Sequence, residues 1–111
     1  MELDEIFSRL KTLGIPVAYL RFSKPQVLPF AVYYEAATEI RGADNYNLFR
    51  EVTINIELYC KMKQPELERR IESLFIDREI NKASDIYLKD EDMQMTTFSF
   101  DTIQYIQEEI P

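Results

Sequence analysis

Residues Arg50 to Cys60 read Arg-Glu-Val-Thr-Ile-Asn-Ile-Glu-Leu-Tyr-Cys, in which apolar and polar side chains alternate. Successive side chains of a β-strand point to opposite faces, so this alternation places the aliphatic groups together on one face. The apolar face carries Val52, Ile54, Ile56 and Leu58, and the polar face carries Glu51, Thr53, Asn55 and Glu57. The stretch therefore predicts a half-buried strand on which the rest of the core is built.

Two amphipathic helices are predicted, one before and one after this strand. Gly14 can adopt the left-handed conformation that ends a helix, and Pro16 cannot continue one, so the first helix ends there. The second helix begins at Pro65, since proline is tolerated at a first helical position, and we expect it to end between Asp77 and Glu79. The residues at helical spacing are Leu3, Ile6, Phe7, Leu10 and Leu13 in the first helix, and Leu67, Ile71, Leu74 and Phe75 in the second.

Four other segments favour extended chain. Residues 17–22 predict a short edge strand or an irregular arm, because Pro25 and Pro29 follow closely and proline pairs poorly within a sheet. Further strands are predicted at residues 30–37, 86–88 and 93–106. In the last of these the apolar phase moves from Phe98 and Phe100 to Ile103 and Tyr105, which predicts a bulge or bend near residues 101 and 102.

These elements predict one α+β domain over residues 1–111. We expect an antiparallel or mixed sheet of four to five strands, with the two helices packed on one of its faces. A chain of this length can bury roughly 60 to 70% of its unfolded surface, so a single core is feasible.

The composition limits the classes of partner. Twenty acidic and thirteen basic residues give a net charge of −7, which argues against affinity for nucleic acid or anionic lipid, because phosphate binding needs clustered cations. One cysteine excludes an internal disulfide, and we expect folding in a reducing cytosol. The apolar runs are too short to span a bilayer, so we expect no membrane association.

The residues needed by most small catalytic sites are absent. The chain has no histidine, which removes Ser-His-Asp and Cys-His catalysis and the commonest metal ligand. Its two glycines, Gly14 and Gly42, cannot form a phosphate-binding loop. Asp90, Glu91 and Asp92 could attract a divalent cation, but their spacing fits a solvated turn better. We therefore expect no enzyme activity, no cofactor and no metal, with Cys60 as a small buried side chain.

The segment from Thr38 to Asn47 is the first candidate for a functional surface. It contains Gly42, Asp44 and Asn45, which favour turns, and we interpret it as a loop of about ten residues between two hairpin strands. Hairpin loops are usually two to five residues long, and longer ones are more often functional. Seven tyrosines without any tryptophan also suit a protein interface, although packing explains most of them.

Several short signatures occur in order along residues 10–106. They are Gly14-Ile-Pro-Val-Ala-Tyr19, Pro29-Phe-Ala-Val-Tyr33, Gly42-Ala-Asp-Asn45, Ile54-Asn-Ile-Glu-Leu-Tyr59 and Pro65-Glu-Leu-Glu68. In this order the chain resembles the tail-completion proteins of phages and prophages of Gram-positive bacteria, a group similar to the tail terminator and tail-to-head joining proteins of long-tailed phages.

The resemblance implies a structural subunit of the virion that is made in the bacterial host cytoplasm. Proteins of that family form a ring, commonly a hexamer, which caps the tail tube and then joins it to the head. The implied partners are further copies of the chain, the tail tube protein and a head-completion protein, while DNA passes through the ring without specific binding. The predicted subunit or tail-tube interface consists of Glu39, Arg41, Gly42, Asp44, Asn45 and Tyr46.

Two alternatives to a tail terminator remain open at this point. A neck or head-completion component of the same particle would have the same sequence features. A small non-catalytic binding module of the host is the alternative outside the virion, and it should remain monomeric.

Overall fold

The computed structural model describes residues 1–43 and 46–106, with the side chains of residues 43, 46 and 47 left undescribed. The elements are α1 (Leu3–Lys11), β1 (Val17–Tyr19), β2 (Phe30–Ala43), β3 (Tyr46–Cys60), α2 (Pro65–Leu74), β4 (Asn81–Lys82), β5 (Ile86–Leu88) and β6 (Met93–Tyr105). The strands form one six-stranded sheet in the order β1-β2-β3-β6-β4, and β5 also pairs with β6. β1 runs parallel to β2, and the other pairings are antiparallel.

The predicted α+β class and mixed sheet are confirmed, with six strands instead of four to five. The additional strand, β4, consists of Asn81 and Lys82, two exposed polar residues that show no apolar pattern from which a strand could be recognised. The predicted second helix also ends earlier than expected, at Leu74. The segment from residue 17 combines both predicted forms, because the strand ends at Tyr19 and an irregular arm continues to Pro29.

The helices and the apolar face of β3 form one core. Val52, Ile54, Ile56 and Leu58 are all buried, as their alternation predicted. These four side chains pack in one cluster with Ile6 and Leu10 of α1 and with Leu67 and Ile71 of α2. Both helices therefore lie on the same side of the sheet. The ring of Phe75 stacks on that of Phe100 with 5.0 Å between centroids, and this contact joins the end of α2 to β6.

The predicted bulge near residues 101 and 102 is wrong. β6 pairs with β3 without interruption, from Gln94 opposite Cys60 to Tyr105 opposite Phe49. The buried face of β6 continues with two polar side chains, Thr102 and Gln104. Both find partners in Met1, because the Thr102 Oγ1 accepts a hydrogen bond of 2.7 Å from the Met1 nitrogen and the Gln104 Nε2 donates one of 3.2 Å to the Met1 carbonyl. Ile103 and Tyr105 consequently lie on the other face, where they are exposed.

The predicted ten-residue loop at residues 38–47 is also wrong. Residues 38–43 belong to β2 and residues 46 and 47 to β3, so the hairpin extends to a connection of two residues, 44 and 45, that lie outside the described part. A bulge occurs in β2 instead, where Ala36 is inserted between Glu35 and Ala37, and a second register shift, opposite Arg41 and Gly42, inserts Leu48 in β3. The exposed end of the hairpin has no buried face, and therefore its sequence lacks the alternation that marks a half-buried strand.

A buried carboxylate ties α2 to the neighbouring strands. Glu68 is only 2% exposed, and its Oε1 lies 3.0 Å from the Lys63 Nζ and 2.7 Å from the Lys82 Nζ. Lys63 also contacts Asp85 at 2.9 Å, and Asp85 accepts a 2.7 Å hydrogen bond from the Thr96 hydroxyl. Because a buried charge is costly without partners, these bonds explain why an acid is tolerated there.

Replacement of Ile56 by alanine should test the central strand. Ile56 is fully buried, and deleting this much aliphatic side chain from a core costs about 2 to 5 kcal/mol of unfolding free energy. Asn55→Ala, one residue earlier on the opposite face, serves as the control and should cost about 1 kcal/mol or less. Urea unfolding followed by circular dichroism measures both, and equal losses would contradict the assignment of faces.

The contact between α1 and the turn after α2 predicts a pH effect. Two hydrogen bonds from Arg9, of 2.7 and 3.1 Å, hold the pKa of the Asp77 carboxyl at about 2, below its usual 3.8. The stabilisation from this lowered pKa is present above pH 3.8 and disappears as the pH falls through about 2. The stability difference between the wild type and Asp77→Asn should therefore shrink over that range in urea unfolding. A difference that grows on acidification would contradict the assignment.

Candidate assembly interface

One end of the sheet extends beyond the helices, and we call it the tongue. It comprises residues 36–43 of β2, 46–51 of β3 and 101–105 of β6. Every residue from Ala36 to Gly42 is exposed, whereas Ala31, Val32 and Tyr33, nearer the core, are buried. The described molecule is accordingly elongated, with extents of 51, 29 and 25 Å.

The tongue exposes apolar side chains on both of its faces. On the side of the helices, Ile40 is 57% exposed and Leu48 is 45% exposed. On the opposite side, Ile103 is 45% exposed and Tyr105 is 77% exposed. Single exposed apolar residues are ordinary on a protein surface, but apolar side chains gathered on a projecting element are typical of an interaction surface.

The charged side chains of the tongue are three acids, Glu39, Glu51 and Asp101, and two bases, Arg41 and Arg50. The Arg41 guanidinium donates to the Glu51 carboxylate at 2.9 Å and to the Glu39 carboxylate at 2.7 Å. These partners, Glu51 first, raise the pKa of Arg41. Asp101 lies opposite Thr53 and accepts a 2.7 Å hydrogen bond from its hydroxyl. This face of the tongue thus presents three carboxylates, two of which are bound by one guanidinium.

Among the described residues, the outer edge of β2 is unpaired beyond its contact with β1. That contact ends at the pair Tyr19 and Tyr33. The outer edge of β6 is partly covered, because the Met1 nitrogen donates a 3.0 Å hydrogen bond to the Ile103 carbonyl. The β2 side therefore presents backbone donors and acceptors that another chain could use.

The structure brings together the described members of the predicted interface. Glu39, Arg41 and Gly42 lie along β2 in the tongue, and the backbone of Tyr46 pairs with that of Ala43 at the start of β3. Asp44 and Asn45 lie outside the described residues. Sequence reasoning missed Ile40, Leu48, Ile103 and Tyr105, and the out-of-phase position of the last two was the available signal.

Two tyrosines bind one carboxylate on the face of the sheet opposite the helices. The Tyr34 hydroxyl donates to the Glu57 Oε2 at 2.8 Å, and the Tyr59 hydroxyl donates to the Oε1 at 2.7 Å. Burial raises the pKa of Tyr34 and strongly raises that of Tyr59, and the hydrogen bonds to Glu57 act in the same direction. Both hydroxyls are therefore held protonated, which suits a structural contact and not a base.

The arm after β1 folds over the same face and forms a shallow cleft of about 460 Å³. The ring of Phe30 packs between Phe22, at 5.4 Å, and Tyr59, at 5.0 Å between centroids. Arg21 and Lys24 border the cleft without any acidic residue. The ring contacts of Phe30 with Phe22 and Tyr59 hold the arm on this face of the sheet.

The remaining candidates for chemistry are separated in space. Asp92 is bound by Lys61 and by the Tyr87 hydroxyl, and these contacts lower the pKa of its carboxyl, Lys61 first. Cys60 is buried as predicted, and burial raises the pKa of its thiol. Within residues 1–43 and 46–106, no three potential ligands from His, Cys, Asp or Glu converge to hold a metal ion.

Neither described helix is long and apolar enough to cross a membrane. Searches found no family model and no curated protein that matches the chain. A solved structure whose own name states no function is similar to it, with 13% sequence identity, a TM-score of 0.62 and 99% of each chain covered. At this identity the similarity concerns the fold alone.

The exposed position of Glu39 and Arg41 predicts that folding does not depend on them. Exposed ion pairs contribute about 0 to 1 kcal/mol, so Glu39→Ala combined with Arg41→Ala should lower the unfolding free energy by about 1 kcal/mol or less. Urea unfolding measures the change. A loss comparable with that of Ile56→Ala would show that the tongue belongs to the cooperative core.

Proposed function

We propose that this chain is a structural subunit of a phage virion, which assembles with copies of itself into a ring at the end of the tail tube and takes part in joining tail to head. The tongue is the observation that carries the proposal. It projects from the folded core, it exposes Ile40 and Tyr105 on opposite faces, and its contacts are not needed to complete the core. Such an element suits contacts with other protein chains.

The proposed ring uses heterologous contacts, in which one patch of a subunit meets a different patch of the next. The tongue offers distinct surfaces for that purpose, since its two faces and its two edges differ in side chains. The tail tube protein and a head-completion protein are the further proposed partners. The order of the sequence signatures along the chain, from Gly14 to Glu68, supports the virion over other assemblies.

The acidity of the chain agrees with a position around a DNA path. Six copies with a net charge of −7 each carry −42, and anionic surfaces repel the DNA backbone. A ring of this kind would let DNA pass without binding it. The proposed role is non-catalytic, because the described polar clusters are occupied with internal hydrogen bonds.

Electron microscopy of particles made without this chain tests the role in the phage. Tails of uncontrolled length indicate a tail terminator, and normal tails separated from filled heads indicate a joining component. Normal infectious particles would refute the virion role. In solution, or with the tail tube protein, a ring should have a mass of about six times 13.2 kDa.

Complementation tests the tongue itself. The Glu39→Ala, Arg41→Ala double variant should fold but fail to restore infectious particles, because it removes charged groups of the proposed interface. Glu66→Ala combined with Arg69→Ala removes an acid and a base from the exposed surface of α2 and is the matched control, which should restore them. If both variants complement equally well, these tongue side chains are not part of the interface.

A further inference from the structure

The backbone of β2 changes its direction of hydrogen bonding at the first bulge. Before the bulge, the Tyr33 carbonyl accepts a 2.8 Å hydrogen bond from Leu20, so odd-numbered residues direct their backbone groups away from β3. The bulge between Glu35 and Ala37 adds one residue and shifts this alternation. Beyond it, Thr38 and Ile40 direct their N–H and C=O groups to the outer edge.

Two of the residue types that block the pairing of a strand edge with another chain are absent here. Natural edge strands are often blocked by lysine or proline, and residues 36–42 contain neither. Between the bulge at Ala36 and the register shift at Leu48, Ala37 to Arg41 pair regularly with β3, so five residues form a straight strand edge. Ile40 lies on this strand edge, and 57% of its surface is exposed.

The sequence of this edge is complementary to itself. We propose that β2 pairs antiparallel with β2 of a second copy, in the register that places Ile40 opposite Ile40 of that copy. Glu39 then faces Arg41 of the second copy and Arg41 faces its Glu39, on the sheet face where both side chains already lie. Thr38 faces Gly42, which leaves room for the two strands to approach.

The neighbouring registers are less favourable. Centring the pair on Glu39 places two glutamates directly opposite each other, and centring it on Arg41 does the same with two arginines. Centring it on Thr38 places Ala37 opposite Glu39 and brings Ile40 of each copy against the bulge at Ala36 of the other, where regular pairing is interrupted. Opposite charges across an antiparallel pair stabilise it and like charges destabilise it, so the register through Ile40 is selected.

The pairing concerns the free protein and does not rest on the proposed phage role. A pair related by a two-fold axis is isologous, whereas the contacts of a closed ring are heterologous, so ring formation would replace it. Because the paired segment is short and each copy carries a charge of −7, the association should be weak and dependent on concentration. Normal phage particles made without this chain would leave the pairing unaffected.

A cysteine pair tests the register. In the proposed pair the two Ile40 Cα atoms lie about 5.5 Å apart, a distance that a disulfide spans. Ile40→Cys should therefore form a disulfide-linked dimer of twice 13.2 kDa on mild oxidation. Thr38→Cys is the matched control, because its two copies would be about 14 Å apart and should remain unlinked. Both variants retain the buried Cys60. Any disulfide formed through Cys60 instead of the new cysteine would therefore appear equally in both.

A charge exchange tests the same contact without a covalent bond. Glu39→Arg should raise the dimer dissociation constant at least about tenfold, because it sets arginine against arginine, and adding Arg41→Glu should restore it. Sedimentation velocity measures the constant, and circular dichroism checks that the variants fold. A mass of 13.2 kDa at about 1 mM wild-type protein, equal linking of the two cysteine variants, or unchanged association of Glu39→Arg would each overturn the proposal.

Discussion

Two short helices cannot cover a sheet whose central strand has fifteen residues. α1 and α2 contain nine and ten residues, so each is about 15 Å long, whereas β3 extends for about 50 Å. The helices bury the half of the sheet that ends at Cys60 and leave the other half uncovered. The tongue follows from this difference in length, and so does the contrast between a closely packed core and an exposed hairpin.

The β2 and β3 parts of the tongue are held by main-chain pairing, whereas Thr102 and Gln104 of β6 are buried against Met1. Pairing between β2 and β3 continues past the bulge at Ala36 and the register shift at Leu48, and β6 accompanies β3 as far as Tyr105. Ion pairs around Arg41 add little, because they are exposed. An element of this kind can keep its form while offering two faces and an edge to another chain. The proposed ring contact and the proposed pairing of free copies both involve Glu39 and Arg41, so one would exclude the other.

The bulge between Glu35 and Ala37 has a consequence beyond local geometry. It decides which residues of β2 turn their backbone groups outward, and therefore which residues form the hydrogen-bonded pairs when another strand pairs with the edge. Without it, Glu39 and Arg41 would direct their backbone groups outward in place of Ile40. One inserted residue thus makes the Ile40 pair of the proposed register a hydrogen-bonded one.

Periodic segments with a buried face were predicted correctly. The alternation around Ile54 and the helical spacing around Leu10 indicate directly which side chains are buried. Segments without such a face were misinterpreted, since residues 38–47 were predicted to be a loop although residues 38–43 belong to β2. Glu39 and Arg41 were identified as candidates although the reason given, a long loop, was wrong. Ile103 was taken as evidence of a bulge, because the sequence does not show that Thr102 and Gln104 find buried partners in Met1.

The sequence alone determined the core face of β3, the position where the second helix begins, and the absence of histidine chemistry, since each depends on residue type or on spacing within one segment. Only the tertiary structure decided how far the helices extend along the sheet, where β2 bulges and which apolar residues remain exposed. Those features depend on the relative lengths and registers of segments that are distant in the chain, and the spacing within any one segment does not contain that information.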